Sequence, residues 1–214
     1  NTALGFLALR RNTDGQFNTG VGAGTLLFNR GDQSKEEGVQ NTAIGAAALL
    51  RNTTGSFNTA TGVSALHSNT TGGGNTAAGV DALFRNSTGV SNTAIGEQAL
   101  ESNTTGGFNT ATGVAALFYN TTGSANTASG VDALLSNTTG DRNTASGDAA
   151  LFNSTTGIGN AALGFAAGSA VTTASTPLAR TISAATHIGT FCVANAAVTR
   201  PSALYPSRSQ GRQA

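Results

Sequence analysis

Residues 41–57 read NTAIGAAALLRNTTGSF, and residues 58–74 read NTATGVSALHSNTTGGG. The first stretch holds no carboxylate, histidine, cysteine or proline, and the second repeats it with changes confined to a few places. The same sentence begins at Asn1, Asn18, Asn41, Asn58, Asn75, Asn92, Asn109, Asn126, Asn143 and Asn160. The spacing is 17 everywhere except the 23 between Asn18 and Asn41. The template is N-T-A-x-G-x-x-A-L-x-x-N-T-T-G-x-x, with its places numbered 1 to 17 below. Asn at position 1 and Gly at position 5 hold in all ten units. Ala at position 3 gives way only at Gly20, and Leu at position 9 only at Gly168.

Such a period is too short for helix-pair repeats, which run to about thirty residues or more. It suits one coil of a β-solenoid, whose successive strands pair about 4.8 Å apart and stack like on like. The expected fold is all-β, with short helical turns allowed: a parallel β-solenoid or β-roll of about ten 17-residue coils, roughly 45–50 Å long. It spans residues 1–174, with a six-residue insertion within the coil that starts at Asn18. The strand is N-T-A-x-G, with positions 3 and 5 inward and positions 2 and 4 outward. N-T-T-G is turn chemistry, because Asn and Gly accept positive φ and Thr hydroxyls bond local backbone. The middle, x-x-A-L-x-x, stays open between two conformations. A strand, the preferred one, sends adjacent Ala and Leu to opposite faces; a short helical turn brings both inward. Asn41, Gly45 and Leu49, with Asn58, Gly62, Leu66, Asn75, Gly79, Leu83, Asn92, Gly96 and Leu100, form the expected structural ladder.

Composition narrows the class. There are 29 glycines, three prolines, no tryptophan or methionine, and only a tenth of the residues are charged. Disordered chains rely on charge and proline to stay solvated, so a regular fold fits better. A net charge of +1 without a basic run gives no footprint for nucleic acid. Cys192 alone excludes an internal disulfide framework. No apolar run is long enough to cross a membrane as a helix. The chain starts inside the pattern, at Asn1, which reads as a fragment or processed product. A core of one Leu and a few Ala per coil is thin, so self-association is expected, with a trimer favoured.

The runs NTAIG at 41–45 and 92–96, and NTATG at 58–62 and 109–113, resemble the repeat of YadA-type trimeric autotransporter heads. They are also similar to the Asn-Thr-Ala-x-Gly arrays of bacterial surface proteins and phage tail fibres. The resemblance covers about residues 1–168 and implies a parallel β-roll, trimeric assembly and an adhesive or fibrous role outside the cell. The YadA-type unit is a few residues shorter, and the N-T-T-G segment fills the difference. Within these 214 residues no coiled-coil stalk, anchor barrel or chaperone segment accompanies the repeats.

Candidate sites are few. His67 and His187 lie far apart, and no base with an orienting carboxylate or cluster of metal ligands is evident, so no catalytic residue, cofactor or metal is expected. The insertion, NRGDQSKEEGVQ at 29–40, should bulge as a loop, and its Arg30, Gly31 and Asp32 form a candidate receptor loop. Sequons at Asn52, Asn69, Asn86, Asn103, Asn120, Asn137 and Asn153 are better read as turn chemistry than as glycan acceptors. The threonines at position 2, from Thr2 to Thr144, form one rank of the kind that binds ice, but position 4 supplies a second rank only at Thr61 and Thr112. Phenylalanines recur at position 17 (Phe17, Phe57, Phe108) and position 10 (Phe84, Phe118, Phe152), as sugar-stacking anchors or as plugs for corners and seams.

From Ser175 the composition changes. All three prolines, Cys192 and Arg180, Arg200, Arg208 and Arg212 appear with no acid, which leaves residues 1–174 at −3. Residues 175–214 are expected to cap the last coil or to form a disordered tail. The function expected is that of an extracellular or cell-surface structural protein, a stiff segment of a bacterial adhesin or fibre. A phage tail-fibre shaft, carried on a virion, is the first alternative and an ice-binding solenoid the second.

Overall fold

Ten three-residue strands, from Thr2–Leu4 to Ala161–Leu163, pair in strict sequence order into one parallel sheet. A computed structural model describes residues 1–175, with the backbone alone at Gln33. The expected cap or tail, with His187 and Cys192, lies beyond Ser175 and outside the described residues. Each strand belongs to one coil, and coils are numbered 1 to 10 in chain order. The register is like on like: Thr42 pairs with Thr59, Ala43 with Ala60 and Ile44 with Thr61, and so on along the rod. Nine such steps span about 43 Å. The 23-residue spacing leaves the register intact, since Thr19 still pairs with Thr42.

Alternation along the strand places position 3 inside, and Ala43 through Ala145 are fully buried there. Position 5 turns the corner at φ between 118° and 144°. A Cβ there would strike the carbonyl of the glycine above, as Gly45 would strike Gly62, so only glycine fits.

The middle of the coil is neither the preferred strand nor a helical turn. Positions 7 and 9 both adopt left-handed backbone, φ 57° at Ala47 and 50° at Leu49, with equivalents in the other coils. That alternation turns adjacent Ala48 and Leu49 to the same side, both fully buried. Amides at positions 8, 10 and 12 close tight turns within the coil, as Asn52 N–H donates to Leu49 C=O at 3.1 Å. Those at 7, 9 and 11 bond neighbouring coils, as Leu49 N–H donates to Ala65 C=O at 3.0 Å. A six-residue window has no periodicity that distinguishes this conformation.

Two buried asparagine columns complete the interior. At position 1 of coils 3 to 9, Nδ2 donates to the previous coil's Oδ1 and to the position-15 glycine carbonyl of its own coil: Asn58 reaches Asn41 Oδ1 at 3.1 Å and Gly72 O at 2.9 Å. At position 12, Asn69 donates to Asn52 Oδ1 at 2.7 Å and to the same Gly72 O at 2.9 Å. One glycine carbonyl thus ties both columns together, and the buried amides are paired along each column as far as its C-terminal end, where Asn137 Oδ1, the Ser154 hydroxyl and Asn160 Oδ1 find no partner among the described residues. Coil 2 departs from the template in a matched way, for Gly20 vacates the space that the Thr25 side chain enters in place of alanine.

Candidate functional site

Asn41, Asn58, Asn75, Asn92, Leu49, Leu66, Leu83 and Leu100 are interior, so they meet no ligand. Gly45, Gly62, Gly79 and Gly96 line the corner as vertical neighbours. What a partner meets is the variable positions. On the strand face the position-2 threonines are exposed or half-buried, beside a position-4 column of mixed Leu, Ile, Thr, Ala and Ser. Just past the glycine corner, position 6 exposes Phe6, Val63, Val80, Val114, Val131 and Phe165. With Leu4, Ile44, Ile95 and Leu163 at position 4, these make an apolar stripe along the rod, interrupted at position 6 by Glu97 in coil 6 and by Asp148 in coil 9.

Positions 10, 11 and 13 form a second face of different chemistry. Arg10, Arg11, Arg30, Arg51 and Arg85 are exposed on coils 1 to 5. Arg11 lies over the Phe28 ring, 5.0 Å from its centroid. His67 stacks on Phe84 with centroids 4.8 Å apart and planes 15° from parallel. Burial holds the His67 pKa below its ordinary value; Arg51 pushes the same way, and Asp81 opposes in part. Between Phe28, Arg30, Leu50, Arg51, Thr53 and Thr70 lies a groove of about 510 Å³. Farther along, Phe118 meets Tyr119 edge-on at 4.6 Å, and Arg85 pairs with Glu101 at 3.6 Å.

The insertion replaces positions 13 and 14 of coil 2. Gly38 takes the position-15 role, its carbonyl accepting from Asn18 and Asn29 at 2.8 Å each. Arg30 and Asp32 part company there. Arg30 lines the groove, whereas Asp32 accepts from the Ser34 hydroxyl at 2.6 Å and its N–H at 2.9 Å and pairs with Lys35 at 3.4 Å. Those bonds, the Ser34 hydroxyl first, hold the Asp32 carboxyl below its usual pKa. Gly31 packs against the Glu37–Gly38 backbone at the neck.

Six of the seven sequon asparagines, Asn52 to Asn137, are fully buried with Nδ2 engaged in the column, so the folded rod offers no glycan acceptor there. Asn153 is exposed and its Nδ2 donates to Ser169 C=O. Phe17, Phe57 and Phe108 stand exposed at the position-17 corner, and Phe84, Phe118 and Phe152 lie half-buried on the basic-aromatic face. Sequence reasoning saw the separate phenylalanines and Arg30 but not the other arginines or the shared face, because placing positions 10, 11 and 13 together requires the turn conformation.

Among the described residues no three His, Cys, Asp or Glu side chains come together as metal ligands, and no helix is long and apolar enough to cross a membrane. Comparison with known proteins finds no matching family model, no similar curated protein and no similar solved structure.

Proposed function

We propose that this β-solenoid is a stiff segment of an extracellular bacterial adhesin or fibre that self-associates as a trimer and presents ligand-binding side chains at its variable positions. The observation that carries this reading is the apolar stripe at positions 4 and 6. Scattered exposed apolar residues are ordinary, but a recurrence of them at the same two positions in eight coils or more, along the rod axis and broken fully only at Ser146 and Asp148 of coil 9, suits a partner rod lying alongside. The thin interior, one leucine and two alanines in most coils, supports it further. Sedimentation equilibrium of the purified chain tests the assembly: a trimer is expected, and Val80→Asp with Val114→Asp should dissociate it. A chain that stays monomeric at micromolar concentration and keeps its melting temperature after both substitutions would remove the proposal.

A further inference from the structure

The basic-aromatic face carries a second period, twice the first. At position 11, coils 3, 5, 7 and 9 hold Arg51, Arg85, Tyr119 and Asn153, whereas coils 4, 6 and 8 hold Ser68, Ser102 and Ser136. At position 10, coils 5, 7 and 9 all hold phenylalanine. Folding does not ask for this alternation, because Leu at position 9 and Asn at position 12 recur in the odd and even coils from 3 to 8 alike. It is a property of the surface at position 11 from coil 3 to coil 9, where larger side chains alternate with serines, one ledge every two coils or about 9.6 Å. Phe28 of coil 2 stands outside the alternation, and position 10 stays filled in the even coils by His67, Glu101 and Leu135.

We infer that this face is a track for an acidic 1,4-linked polysaccharide, gripped once per disaccharide by each ledge. An extended 1,4-linked disaccharide advances by about the same length as two coils. A β-strand ligand repeats at about 6.8 Å and would fall out of step. Aromatic side chains supply apolar surface for sugar C–H groups, and Phe84, Phe118 and Phe152 recur at position 10 of coils 5, 7 and 9. Charge selects the acidic class. Residues 1–174 carry −3 overall, yet coils 1 to 5 of this face concentrate five arginines, of which Arg85 meets the carboxylate of Glu101 from coil 6. The groove between Phe28, Arg30 and Arg51 lies on this track.

The inference deepens the adhesive reading and rests on it for its biological sense, but not on the trimer. The test uses the full chain with size-graded polyuronate oligosaccharides from alginate, cello-oligosaccharides as neutral controls and dextran sulfate as a polyanion of different linkage. Polyuronate affinity should rise in steps of one disaccharide, fall with added salt and exceed that for the neutral oligomers. Arg51→Ser and Arg85→Ser should each weaken it about tenfold with the circular dichroism spectrum and melting temperature unchanged. Ser68→Arg with Ser102→Arg adds charge but fills the gaps, so polyuronate binding should weaken about tenfold while dextran sulfate binding strengthens. Absence of polyuronate binding, indifference to Arg51→Ser, or tighter polyuronate binding by the filled variant would each overturn the inference. Sedimentation of the same samples reports the oligomer separately.

Discussion

Leu49 is fully buried at φ 50°, and Ala47 beside it lies at φ 57°. Left-handed backbone costs a non-glycine residue on the order of 1 kcal/mol, and coils 1 and 3 to 9 accept that cost at both position 7 and position 9 to bring positions 8 and 9 inward together. Glycine relieves it, and coil 2 has Gly24 at position 7 with φ 70°. Ala47→Gly is therefore expected to stabilise the rod by about 0.5–1 kcal/mol, against the usual sign for that substitution. Gly45→Ala two residues earlier should destabilise by roughly 3 kcal/mol or more, since its Cβ meets the Gly62 backbone. Urea midpoints of the two variants check both signs. Position 5 could be read from its invariant glycine alone. Position 9 could not, because leucine has no preference for this conformation, and the one hint was Gly168 standing in its place at φ 67°.

A coil's stability depends on its asparagines as much as on its leucine. The position-12 column runs from Asn12 to Asn137 and then stops, with Ser154 in coil 9 and Val171 in coil 10. The shorter serine leaves Asn137 Oδ1 and its own hydroxyl buried without a partner. Such an orphaned pair costs about 1–3 kcal/mol per group. Ser154→Asn extends the column by one rung and should stabilise by about 1 kcal/mol or more, read as a raised melting temperature. The period, the strands and the inward face of position 3 were legible in the repeats. The burial of Asn at positions 1 and 12 was not, because asparagine beside Thr and Gly reads equally well as exposed turn chemistry.

For the whole rod, stability is a sum over coils and their interfaces, so the place where the ladder breaks decides how it comes apart. Coil 10 also ends the position-1 column, with Asn160 Oδ1 buried and unpartnered among the described residues. Hydrogen exchange should show amides of coils 3 to 8 as the slowest, with protection falling from coil 9 to coil 10. Ser154→Asn should move that fall toward the C-terminus. Uniform protection through coil 10 would show that the broken column does not set the order of opening. Architecture at this scale followed from the spacing of the asparagines. The working surfaces did not, since their meaning lies in which columns the turns bring side by side, as Arg30 and Arg51 come together across two coils.

The neck at Gly31 and Gly38 has a consequence for how such a rod can change. Because Gly38 resumes the position-15 role, the eight residues from Arg30 to Glu37 hang from a single corner without shifting a rung above or below. Coil 1 and coils 3 to 8 offer the same corner between their second asparagine and the glycine that follows. The scaffold is a rail with the same socket at most steps, and coil 2 shows a longer loop seated in one of them while the rail itself stays as it was.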